Sequence, residues 1–240
     1  MVITGVSGID ELLSPVKREW IVEIYGDMRL VSWVAHFAMV YRSRDSPVYV
    51  VLNSEFGGLD TSLVVKLCRI YSCDMENIMI SRAFSLRDTL SILSELGSLK
   101  DAVILLLFPY SYLPPDPSKY TEATRITGMI TRILGENQVL VFNTFTRFGK
   151  RRPEGGSFHH HAVKVIARIF ETQGNIAVKL VKHPVKEAGL IRLIPVKGAV
   201  GVSQRRVGLL AWASASSANK RLTASQTPGL NEGLRSPHAP

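Results

Sequence analysis

The chain has 240 residues, 46% of them hydrophobic, a net charge of +9 and two cysteines. That is enough for one good core, or at most two small ones. No apolar run reaches the roughly 18 residues of a membrane span, and no basic stretch followed by an apolar one marks a secretory signal near the start. Cys68 and Cys73 have no second pair beside them. They therefore read as reduced thiols of a cytoplasmic protein rather than as a zinc site or a disulfide framework.

In chain order, residues 21–25 form an apolar strand ending at Gly26, and a helical run follows over 31–41. This is the setting of a phosphate-binding loop, but not its sequence. A Walker A loop reads G-x-x-x-x-G-K-[ST], with glycines that let backbone N–H groups cradle phosphates and a lysine for the β- and γ-phosphates. Here only Gly26 and Ser32 remain, Val31 stands nearest the lysine's place, and the connection is one residue short.

Strands are expected at 48–52, 78–81, 103–108, 139–142, 177–181 and 190–194. Helices are expected at 60–71, 86–96, 120–134 and 159–168, with Asp60 and Ser85 as N-caps. The runs VYVVL, AVILLLF and VLVF are apolar throughout rather than alternating, which suits parallel strands buried on both faces. The expected class is α/β: a mostly parallel sheet flanked by helices, its late strands close enough together for an antiparallel edge. From residue 213 the chain turns rich in Ser, Ala, Pro and Gly. The expected division is thus a core over 1–212 and a disordered tail over 213–240, with a short docked helix as the alternative for the tail.

Several segments, taken in order, resemble the RecA/RadA recombinase superfamily, and within it the archaeal RadB-type paralogues. TGVSGIDELL at 4–13 resembles the family's opening motif. VYVVLNSEFGGLD at 48–60 resembles the strand leading to the catalytic glutamate, and DAVILLLF at 101–108 the Walker B strand. VLVFNT at 139–144 resembles the sensing strand, PEGGSFHHHA at 153–162 the end of the second DNA-binding loop, and KLVKHP at 179–184 the late strand ending in K-x-P. The resemblance spans roughly residues 3–200 and implies a RecA-like core.

It also implies what has been lost. Leu107 and Phe108 stand where the Walker B aspartate that helps hold Mg²⁺ is expected. Glu55 matches the family's catalytic glutamate, and is either a vestige of that role or a structural carboxylate. Asn143 is kept, but Thr144 replaces the following Gln. Phosphoryl transfer depends on positioning and on charge stabilisation by Lys and Mg²⁺, so the expectation is a pseudo-ATPase with no cofactor. ATP with Mg²⁺ remains the alternative, held by Gly26, Arg29 and Ser32, with the Arg29 guanidinium replacing the lysine.

Charge is unevenly placed. Residues 1–144 carry 13 basic and 16 acidic side chains, whereas 145–212 carry 13 basic and 3 acidic. A positive field confined to one half is a footprint of nucleic-acid binding, or of docking to an acidic protein. In FTRFGKRRPEGGSFHHH, Arg147, Lys150, Arg151 and Arg152 accompany Phe148. Cations for phosphates and rings for bases make this a single-stranded DNA site, the family's second DNA-binding loop by resemblance; a solvated charged loop is the structural alternative. Three consecutive histidines, 159–161, point about 100° apart on a helix and cannot all face one ion, so no metal site is expected. By resemblance, Lys182 and Pro184 belong to a segment that caps a neighbour's nucleotide in trans. The function expected is an accessory to DNA repair by recombination, with single-stranded DNA, a RadA-type recombinase or another paralogue as partner and no membrane. A weak ATPase of the RadB or KaiC kind and a protein-binding scaffold are the alternatives.

Overall fold

A computed structural model describes residues 2–53, 59–116, 120–148 and 151–194. Its centre is an eight-stranded sheet in the order β3-β2-β4-β5-β1-β6-β7-β8. The strands are β1 (Val22–Gly26), β2 (Val48–Asn53), β3 (Ile78–Ala83), β4 (Val103–Leu107), β5 (Gln138–Asn143), β6 (Val165–Thr172), β7 (Asn175–Lys182) and β8 (Ile191–Ile194). The first six pair in parallel, while β6–β7 and β7–β8 are antiparallel hairpins. The mostly parallel sheet with an antiparallel edge is therefore as the sequence implies.

The helices are α1 (Ser7–Leu13), α2 (Met28–Arg42), α3 (Thr61–Tyr71), α4 (Leu86–Leu96), α5 (Thr121–Leu134) and α6 (Gly156–Ala162). The caps at Asp60 and Ser85 form: their side chains accept from the Leu63 and Asp88 amides. Helices α4 and α5 cover one face, where Leu93, Ile126 and Ile130 pack with Ile21, Tyr25, Val51 and Ile104. On the alternate face Val22 and Ile24 are equally buried, and α2 runs beneath β1, β4 and β5. Burial on both faces explains why β4 and the VLVF stretch of β5 read as unbroken apolar runs. Among the described residues no helix is long and apolar enough to cross a membrane.

Three expectations are corrected. The helix expected over 159–168 ends at Ala162, and Val165–Thr172 is instead a strand paired with β1. Val165, Ile166, Ala167 and Ile169 are buried in the sheet, and the β-branched Val165 and Ile166 suit it. The opening motif, left without an element, forms α1, and its Asp10 carboxylate accepts from the amides of Ile3, Thr4 and Gly5. Cys68 and Cys73 are joined as a disulfide rather than standing as free thiols. Ser72, in the left-handed conformation just past α3, turns the chain back to bring them together. Glu55, Lys150 and the expected tail over 213–240 lie outside the described residues.

Candidate nucleic-acid interface

The place where a phosphate loop would sit is the junction of β1 and α2, at the C-terminal end of the parallel strands. The sequence suggests a shortened loop there, but the structure has none. Gly26 is the last strand residue, Asp27 is the N-cap, and the helix begins at Met28. Met, Arg and Leu are good helix formers, and without inner glycines the segment simply extends α2. The Asp27 carboxylate accepts from the Arg29 amide at 3.0 Å. A helix N-terminus attracts anions because its first N–H groups are free and its dipole is positive. Here a carboxylate already occupies that position.

The other residues at this junction have local partners. A Cβ at Gly26 would stand 2.2 Å from the Ile169 carbonyl oxygen, so glycine is required by close packing against β6. Arg29 forms a surface ion pair with Glu171 of β6. Ser32 lies one turn into α2, and its carbonyl accepts from His36 Nδ1 at 2.5 Å. At the end of β4, two places from β1 in the sheet, Leu107 and Phe108 are 2% and 1% exposed. Both positions are apolar, so neither supplies a carboxylate.

Beyond β5, Phe145 pairs with Pro153 in an isolated antiparallel bridge. The loop's side chains divide into two groups. Arg147 faces the body of the protein: its guanidinium donates to the carbonyls of Leu113 and Ser111 at 3.0 and 2.6 Å, and its amide donates to Glu154. Phe148 packs edge-on against Tyr120 at 5.4 Å but stays 42% exposed. Arg151 and Arg152 are exposed, and no carboxylate among the described residues pairs with either. The Tyr120 hydroxyl donates to the Glu154 carboxylate. Burial, and then that bond, push the Tyr120 phenol up to about 12, so Tyr120 keeps its proton and anchors the returning strand of the loop.

Between this loop, the start of α2 and β6 lies an open groove of about 590 Å³, lined by Asp27, Arg29, Phe145, Arg151, Arg168 and Phe170 among others. The Arg168 guanidinium sits 5.3 Å from the ring centroids of both Phe145 and Phe170. Cation–π attraction of this kind is worth about 0.5–2 kcal/mol. Arg168 Nε is buried and makes no hydrogen bond.

Beneath the loop runs a buried polar chain that the sequence does not announce. Asn143 donates to Glu23 Oε1 and to the Glu154 carbonyl, at 2.8 and 2.9 Å. Glu23 Oε1 also meets His159 Nε2 at 2.8 Å, and His159 Nδ1 meets the Tyr110 hydroxyl at 2.8 Å. The Thr127 hydroxyl proton goes to the Ala123 carbonyl, so Tyr110 donates to Thr127 and accepts from His159. His159 Nδ1 therefore carries a proton, and one further proton is shared between Nε2 and Glu23. A Cβ at Gly155, where φ is +110°, would stand 2.8 Å from the Tyr110 ring, so this glycine lets the loop end pass over the chain.

The late-strand candidates have structural partners as well. Lys182 Nζ donates to the carbonyls of His160, His161 and Val163, closing the C-terminal end of α6. Pro184 is exposed just beyond β7. The three histidines diverge: His159 is buried, His160 half-buried and His161 exposed.

The fold is RecA-like. The crystal structure of the RadB recombinase superposes with a TM-score of 0.67 at 14% identity, covering 82% of this chain and 96% of that one. At this identity the likeness establishes the α/β fold. No protein-family model matches the sequence, and no curated protein does.

Proposed function

We propose that this protein is a recombinase paralogue that serves DNA repair as a non-hydrolysing accessory, binding single-stranded DNA and a RadA-type recombinase. The observation that carries the reading is the β1–α2 junction: one residue long, with the Asp27 carboxylate on the Arg29 amide in the first turn of α2. Such a junction offers phosphate neither a cradle nor a favourable field. Two electrostatic donors absent from a phosphoryl-transfer site cost at least several kcal/mol of transition-state stabilisation, at about 3–4 kcal/mol for one. The solved RadB recombinase has the same fold, and the exposed Arg151 and Arg152 beside Phe148 supply cations and a ring for a flexible strand.

The test is calorimetric titration of the purified protein with Mg²⁺-ATP, followed by fluorescence anisotropy with a labelled single-stranded oligonucleotide. Expected are no heat and no thermal stabilisation at millimolar ATP, and nucleotide-independent, salt-sensitive DNA binding. ATP turnover abolished by Glu55→Gln would overturn the accessory reading.

A further inference from the structure

The antiparallel hairpins expose a sheet face next to the groove. In the register, Arg168 of β6 lies opposite Lys179 of β7, and Phe170 opposite Ala177. Lys179 in turn lies opposite Ile191 of β8, and Ala177 opposite Leu193. Residues directly paired across antiparallel strands point to the same side of the sheet, so these six share one face. The far side of β7 and β8 packs against α1, where a Cβ at Gly8 would meet Ile194 Cγ1 at 3.5 Å. On the near side Ala177 is buried, but Lys179 is exposed, and Ile191 and Leu193 are 53% and 60% exposed.

This face is continuous with the groove. Parallel pairing sets Tyr25 beside Arg168, and Tyr25 meets Phe145 edge-on at 5.8 Å. Charge accumulates along the same path. Among the described residues neither Arg151, Arg168 nor Lys179 has a carboxylate partner, and the nearby Glu171 is taken by Arg29. Unpaired cations beside aromatic rings favour a ligand that carries both phosphates and stackable faces. A duplex hides its base faces; a single strand offers them.

We propose that the face running from Phe145 and Phe170 to Lys179 is a platform for single-stranded nucleic acid, continuing the strand path that begins at Phe148, Arg151 and Arg152. The proposal rests on the single-stranded DNA reading above and extends it to residues outside the loop. Bases stack at the Phe145 and Phe170 rings, and phosphates lie at Arg168 and Lys179. With strands about 4.8 Å apart, β6 to β8 spans roughly 10 Å, room for roughly three stacked nucleotides at about 3.4 Å each.

The experiment is anisotropy with labelled oligothymidylates of graded length and at graded salt, paired with light scattering. It compares the full chain with Phe170→Ala, Phe170→Tyr, Lys179→Ala and the loop variant Arg151→Ala plus Arg152→Ala. Phe170→Ala is expected to weaken binding about fivefold or more, the effect of losing one base–ring stack, and Phe170→Tyr to retain it. Lys179→Ala, a change on the exposed face that keeps the test open if Phe170→Ala fails to fold, is expected to lower the salt slope by about 0.7. A wild-type chain that binds no oligonucleotide overturns the platform together with the function proposed above. Binding that is lost in the loop variant but unchanged in Phe170→Ala and Lys179→Ala overturns the platform alone. Altered self-association with unaltered DNA binding in Lys179→Ala makes the face a protein interface and also overturns the platform.

Discussion

His159 Nε2 and Glu23 Oε1 lie 2.8 Å apart, with the two side chains 1% and 0% exposed. Glu23 Oε2 is buried without a hydrogen bond, so the carboxylate depends on His159 and Asn143 to offset its burial. Removing one member of a buried pair strands the other, at a cost of about 3–5 kcal/mol. His159→Ala is expected to lose that much in urea unfolding. Glu23→Gln, whose side-chain amide can donate to His159 Nε2, should lose clearly less. A loss below about 1 kcal/mol in His159→Ala would show that the chain does not hold the loop end to β1.

His36 ties two helices together through a neutral ring. Its Nε2 accepts from the Asp60 amide at 2.7 Å, so its proton sits on Nδ1 and goes to the Ser32 carbonyl. Burial lowers its pKa from 6.5, against weaker raising contributions from the Ser32 carbonyl and Asp60. The folded state thus takes up the proton at lower pH than the unfolded state. Stability is full above about pH 6.5 and declines as pH falls toward the depressed folded value, by at most about 1.4 kcal/mol per pH unit. His160 is lowered in the same direction, by burial and then by Lys182. His36→Gln is therefore expected to shrink the acid limb of a stability–pH curve without abolishing it; an unchanged limb would rule out the neutral bridge.

The loop arginines should separate stability from binding. Arg147 grips two carbonyls, and Arg147→Ala is expected to cost about 1 kcal/mol and to loosen the loop. Arg151 and Arg152 touch no carboxylate among the described residues, so replacing both by Ala should leave stability within about 0.5 kcal/mol. The same change should flatten the salt dependence of single-stranded DNA binding by about 1.4 units in the log–log slope, at about 0.7 for each phosphate left without its cation. Equal slopes in variant and wild type would remove these residues from the interface.

Much of this fold is legible in the sequence, because parallel strands buried on both faces leave unbroken apolar runs and capped helices leave Asp60 and Ser85 in place. β6 escapes for a physical reason. In AVKVIARIF the apolar residues at 163, 166, 167 and 170 fall at i, i+3, i+4 and i+7, a spacing that also suits one face of a helix, and three histidines precede it. The polar chain escapes because its members are distant: Glu23 and His159 are 136 positions apart, and Tyr110 is 49 from His159. One signal was present. A glutamate inside an otherwise apolar strand must find a partner if the strand is buried. For the candidate site, the sequence has no G-x-x-x-x-G-K-[ST] at the end of β1. It does not show that α2 extends back to Met28 and closes the space where a loop would be.

That closure yields the last prediction. Asp27 caps α2 through the Arg29 amide, and an N-cap Asp replaced by Ala typically loses about 0.5–2 kcal/mol. Asn caps as well as Asp but carries no charge. Asp27→Asn should therefore leave stability nearly unchanged, while Asp27→Ala lowers it by about 1 kcal/mol. If the carboxylate alone repelled phosphate, Asp27→Asn would gain ATP affinity. With no glycine turn between Gly26 and Met28 to expose further amides, neither variant is expected to bind Mg²⁺-ATP at millimolar concentration in calorimetry. Micromolar binding by Asp27→Asn would mean that charge, rather than the missing loop, is what keeps nucleotide out.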